Sequence, residues 1–173
     1  MPPNIPLKYL AGYPPALVQQ VSQLIEQDQL ATLLRQKYPA THNVRTDKAL
    51  YDYVLEIKNT YLRNAGQLSK VLFDSQLKVI QNALGTHTSI SRIQGAKLQA
   101  KREIRIASIF RDMPPEFLRM IVVHEVAHMK EREHDKAFYQ LCRHMEPDYH
   151  QLEFDVRVCL SYVEMTGRGL WGE

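Results

Sequence analysis

The chain has 173 residues, a net charge of +3 and a composition that is 45% hydrophobic and 24% charged, the range of a folded single domain rather than a disordered or fibrous chain. Two cysteines outside any C-x-x-C pattern, Cys142 and Cys159, exclude a disulfide framework or a cysteine-held zinc and fit a reducing cytoplasm. No apolar run approaches the ~20 residues of a membrane span, and "MPPNIPLKYLAGYPPALV" lacks the basic and apolar regions of a signal peptide.

In chain order, the proline-rich residues 1–14 are expected to form a loosely held arm. "PALVQQVSQLIEQDQLATLLRQKY" spaces Leu17, Val21, Leu24, Ile25, Leu30, Leu33 and Leu34 as a packing helix does, and "DKALYDYVLEIKNTYLRN" repeats the pattern with Asp47 as its expected N-cap. After Gly66 the texture becomes β-like. "KVLFDSQLKVIQ" suggests a hairpin turning at Asp74-Ser75. "HTSISRIQ" and "REIRIASIF" follow, the latter alternating Ile104, Ile106 and Phe110 with Arg105, Ala107 and Ile109. A small sheet of three or four mostly antiparallel strands is the expectation.

"DMPPEF" opens a helix, with Asp112 near the cap and two prolines in the first turn. It runs apolar almost all round through Phe117, Ile121, Val123 and Ala127, which places it in the middle of the domain. Helices over "DKAFYQLCRHM" and "QLEFDVRVCLSYVEM" follow, then a frayed tail at 166–173. The pattern is α+β in one domain, 1–173.

The central helix carries His124-Glu125-Val126-Ala127-His128, an H-E-x-x-H motif. Positions i and i+4 lie one turn apart on one helix face, so both imidazoles reach one ion, and Glu125 is set to act on a water rather than on the metal. Chance supplies this motif roughly 0.02 times in a chain of this composition, and burying two histidines and a carboxylate without an ion is costly. His134, six residues after His128, is the favoured third ligand, since a short loop closes at little entropic cost. Glu153, Asp155, His144 and His150 are the competitors. A metzincin would have glycine three residues after the second histidine, where this chain has Glu131. These ligands suit Zn2+, and another divalent metal would accept them.

The stretch "PPEFLRMIVVHEVAHMKEREHDKAFYQLCRHMEPDYH", with "TDKALY", "NALGTHTSISR" and "QLEFD", resembles the YgjP-like metal-dependent hydrolases, relatives of the SprT-like and WLM proteases. The resemblance implies a zincin-like α+β fold with one zinc ion, a third histidine at His134 and an aromatic pair at Phe138-Tyr139. Many distant relatives carry Trp-Gly-Ser where this chain has "THTSISR". Two activities follow from it. As a metallopeptidase, the site would use Glu125 as general base, the strand at 103–110 would pair with an extended peptide, and Tyr139, His144, Tyr149 and His150 are candidates to steady the oxyanion. As a nucleoside triphosphate pyrophosphatase, an activity for which a close group of the family is named (UTP pyrophosphatase), it would use the same metal. His87, Arg92, Lys97, Arg102 or Arg105 would then neutralise phosphates. Peptide or nucleotide is thus the expected partner. A charge of +3 is a weak footprint for nucleic acid, and a closed structural zinc site would gain nothing from Glu125.

Overall fold

The computed structural model describes residues 7–77, 85–94 and 97–172, with 85–94 and 97–101 described as backbone. Three α-helices, three strands and three further α-helices follow one another along these residues: α1 (Pro15–Glu26), α2 (Leu30–Lys37), α3 (Asp47–Tyr61), β1 (Leu68–Asp74), β2 (Gly85–Gln94), β3 (Lys97–Ala107), α4 (Pro115–Ala127), α5 (Lys136–Met145) and α6 (Tyr149–Thr166). The class is α+β.

Helix α4 forms the centre, with α3, α5, α6 and the sheet packed around it. Phe117, Leu118, Ile121, Val122, Val123, Val126 and Ala127 are wholly buried. Such burial of successive residues on every side is what an all-round apolar helix requires. Its first turn is set by Pro114 and Pro115. Asp112, expected near the cap, instead bonds Arg45 at 2.7 Å.

Several expectations are corrected. The sheet is mixed, in the order β1-β3-β2. β1 runs parallel to β3, Val71 opposite Ile104; the second arm of the expected hairpin at Asp74, residues 78–81, lies outside the described residues. The antiparallel pairing is between β2 and β3. β3 therefore has a neighbour on both sides, and its backbone is not open to a peptide at 103–107. It also stops at Ala107, where a 3-10 turn over Ser108–Asp112 takes Phe110 into the core. Ala107, expected on the face opposite Ile106, is itself buried.

The first helical segment is two helices, broken where Asp28 takes a left-handed φ of 56°. The cap of α3 is Thr46, whose side chain accepts from the Ala49 amide at 3.1 Å. Asp47 instead accepts from the Phe73 amide of β1 at 3.0 Å and so covers a donor on an edge strand. Residues 7–14 are held rather than loose: Leu7, Tyr9 and Leu10 are buried, and Arg157 bonds the Tyr9 carbonyl at 3.1 Å. The C-terminal tail is docked as well. Trp171 Nε1 donates to the Tyr38 carbonyl (3.0 Å), Arg35 donates to the Leu170 carbonyl (2.7 Å), and the Trp171 ring stands edge-on to Phe117. A side chain at Gly172 would begin 2.7 Å from Asp112 Cβ, so only glycine admits this approach.

Candidate metal centre

His124 lies in the last turn of α4 and His128 follows as its C-cap. The chain then returns through a tight turn: the amides of Lys130 and Glu131 both bond the Ala127 carbonyl (3.1 and 2.9 Å), and Arg102 donates to the Met129 carbonyl. Glu131, where a metzincin has glycine, makes this turn without a positive φ. Asp135 then caps α5, its carboxylate accepting from the Phe138 amide at 2.9 Å, and this start of a new helix sets His134 back over the first two histidines.

The three Nε2 atoms converge. They are 3.2 Å apart for His124–His128, 2.9 Å for His128–His134 and 3.3 Å for His124–His134. A tetrahedral ion ~2.0–2.1 Å from each imidazole nitrogen separates its ligands by about 3.3 Å, so the donor set fits one small divalent ion. The outward nitrogens are occupied. His128 Nδ1 is 2.9 Å from the Glu131 carbonyl, which only accepts, so Nδ1 carries the proton and Nε2 keeps its lone pair. His124 Nδ1 is 2.7 Å from the Tyr149 hydroxyl. Burial, and then the neighbouring imidazoles of His128 and His134, hold His124 far below the ordinary histidine pKa, so it is neutral.

Behind His124 a polar column runs down α6. Burial and the nearby Glu153 carboxylate keep the Tyr149 proton in place, its pKa well above that of a free phenol. Glu153 in turn pairs with Arg157 at 3.0 Å. Phe138 forms the apolar wall, wholly buried, its ring 4.4 Å from that of His128, 4.9 Å from His124 and 5.0 Å from His134. Glu125 is 1% exposed, and burial alone pushes its carboxyl up to about 8.

The other residues singled out in the sequence lie elsewhere. Glu153 faces Tyr149 and Arg157. Asp155 bonds Lys37 (2.8 Å), Tyr38 and Gln151 (3.0 Å). His144 stands edge-on to Tyr61, and His150 packs on Tyr139 and Tyr149. Among the described residues, Tyr139 packs on Phe138 and Tyr149, which in turn touch the triad. Arg105 is tied to Asp74 at 2.8 Å and Glu103 at 3.0 Å, two carboxylates that more than offset its charge. The side chains of His87, Arg92 and Lys97 lie outside the described residues. Burial pushes Cys142 and Cys159 up to about 12, so neither supplies a thiolate.

Sequence reasoning missed the roles of Phe138 and Tyr149. Phe138 entered only through a family pattern, and Tyr149 as an oxyanion helper, whereas it stands behind His124 on the side away from the other imidazoles. The one available signal was a tyrosine four residues before a glutamate on a helix, which is too common to single out.

A family model described as "YgjP-like, metallopeptidase domain" matches residues 19–156. The chain is 56% identical over 159 residues to the UTP pyrophosphatase of Escherichia coli (strain K12), covering 92% of this chain and 95% of that protein. No solved structure matches.

Proposed function

The chain belongs to the YgjP-like family and is a metal-dependent hydrolase, and from that premise we propose that it is a cytoplasmic nucleoside triphosphate pyrophosphatase acting on UTP. We place one zinc ion on His124, His128 and His134, with Glu125 as general base, in a single zincin-like domain over residues 1–173. The observation that carries the substrate is the 56% identity to a UTP pyrophosphatase over nearly the whole of both chains, well beyond the motif alone.

Water attacks the α-phosphorus of UTP, the bond from that phosphorus to the oxygen bridging to the β-phosphate breaks, and UMP and pyrophosphate leave. A bound divalent ion supplies Lewis acidity, acidifying water and drawing charge from a phosphoryl oxygen. Glu125 takes the proton of the attacking water. Its burial suits it to hold that proton, because a desolvated carboxyl is a stronger base than an exposed one. Tyr149 and the Glu131 carbonyl keep the imidazoles in the tautomer that turns Nε2 inward, and Phe138 keeps water from the back of the triad. Two buried free thiols support a reducing compartment.

A peptidase reading has in its favour the description of the matching family model as a metallopeptidase domain and one structural observation. Among the described residues β2 is paired only on its β3 side, and α4 packs beside it, so an extended peptide has a strand edge to join there.

The test is hydrolysis of UTP by the zinc-loaded protein, with Glu125→Gln as control. Expected are UMP and pyrophosphate in equal amounts, with the rate reduced by about 10²–10⁴ in the variant and its zinc retained. No release from a folded, metal-loaded protein would overturn the nucleotide reading, and cleavage of an unstructured peptide in the same preparation would establish the other.

A further inference from the structure

Lys58 is 5% exposed, and its ammonium makes no hydrogen bond or ion pair with a described residue. It lines a cavity of about 570 Å3 together with Arg63, Asn64 and Gln67 at the C-terminal end of α3. A second cavity, of about 620 Å3, shares Arg63 and Asn64 and adds Arg102 and Lys130. Gly66 of the first lies beside Arg102 of the second: a side chain there would begin 3.8 Å from Arg102 Nε. Neither cavity is lined by an aspartate or glutamate, and Arg63 and Lys130 form no ion pair with a described residue. Lys58, Arg63, Arg102 and Lys130 thus line a trough of two adjoining cavities, with no carboxylate among the described lining residues. Such an arrangement sets up a local positive potential that attracts an anion.

The negative end of the α3 dipole favours one cation in the last turn. It does not account for Arg63, Arg102 and Lys130 beside Lys58, whose stem is buried. The carboxamides of Asn64 and Gln67 add neutral donors of the kind that orient phosphoryl oxygens, and the volumes fall in the range of small-molecule sites. The trough ends at Met129 and Lys130, the two residues after His128, and Arg102 holds the Met129 carbonyl. An occupant there therefore lies against the turn that carries the triad.

We propose that this trough binds a short phosphate chain, that of pyrophosphate or of a nucleoside triphosphate. Phosphate recognition would thereby come from α3 and the 63–67 loop, outside the metal-binding motif. The proposal deepens the nucleotide reading but is tested by binding, so it stands or falls whether or not UTP is hydrolysed.

Full-length zinc-loaded Glu125→Gln protein is titrated calorimetrically with inorganic pyrophosphate and with UTP, alone and with Lys58→Met or Arg63→Gln added. Each addition is expected to weaken pyrophosphate binding by about tenfold, the effect of one charge-assisted hydrogen bond, with the melting temperature held or raised in Lys58→Met. UTP binding tighter than pyrophosphate would identify the nucleotide as occupant, and equal binding the phosphate chain alone. Unchanged pyrophosphate affinity in both variants would overturn the proposal and place the anion on the zinc. Tighter binding of single-stranded oligonucleotide than of either phosphate ligand would overturn it in favour of a nucleic-acid surface.

Discussion

The Tyr149 hydroxyl lies 2.7 Å from His124 Nδ1, joining the first residue of α6 to the last turn of α4 across 25 positions of sequence. Because Tyr149 keeps its proton and faces Glu153, the hydroxyl donates toward the carboxylate and accepts from the imidazole. That leaves Nε2 of His124 unprotonated and aimed at the other two histidines. Loss of such a partner behind a ligand typically lowers metal affinity 10–100-fold. Tyr149→Phe is therefore expected to weaken zinc binding by about that factor in a chelator competition, with the helical circular dichroism spectrum unchanged. Unaltered affinity would show that the tyrosine only packs.

Removal of one Nε2 from the triad separates the ligand assignments. His134→Ala is expected to lower the bound zinc from one per chain to a weakly held fraction, measured by metal analysis after gel filtration. Glu153→Gln, which weakens the column behind His124 but removes no donor from the triad, should retain the metal. Retention in the first and loss in the second would move the third ligand to α6.

Glu125 predicts a pH dependence of the metal-free protein. Its carboxyl is raised from about 4.5 to about 8 by burial, so the folded state binds its proton more tightly than the unfolded state does. The contribution to stability is full below pH 4.5 and lost as the pH rises through 8. At pH 7 the loss is on the order of 3 kcal/mol as an upper figure. Glu125→Gln should therefore melt higher than the parent at pH 8 and equal to it near pH 4.5, in thermal scans with chelator present. Parallel curves at both pH values would show that the carboxyl is not desolvated.

Asp135 couples the fold to the site. Its carboxylate caps α5 next to His134, and an N-cap contributes about 1 kcal/mol. Asp135→Ala is expected to lower stability by that amount in urea unfolding and to weaken zinc binding at the same time. Asp135→Asn should restore both, because the amide oxygen accepts the same hydrogen bond.

Gly167 ends α6 with a φ of 68°, and a Cβ there would meet nothing within 4 Å. Gly167→Ala should then lose about 1 kcal/mol through backbone strain alone. A loss of several kcal/mol in the same unfolding assay would contradict that account.

The metal motif was legible because it is local. Four residues of helix bring His124 and His128 together, and the apolar run from Phe117 to Ala127 already implies a buried helix. His134 was favoured on the same short-range ground. What lay beyond reading were relations set by distant partners. The sheet was expected to be mostly antiparallel, yet β1 pairs in parallel with residues 102–107, and a parallel pairing leaves no turn signal in the sequence. Arg105 looked like a phosphate ligand until its two carboxylate partners were placed beside it.

The sequence by itself determined the buried helix that carries H-E-x-x-H and the α+β class, because each follows from residue type and short-range periodicity. Only the tertiary structure decided the mixed strand order, the Tyr149–Glu153–Arg157 column behind His124 and the unneutralised trough around Lys58. These depend on which side chains meet across a packed core, and the free energy of those contacts is set by burial and charge that no local window of sequence contains.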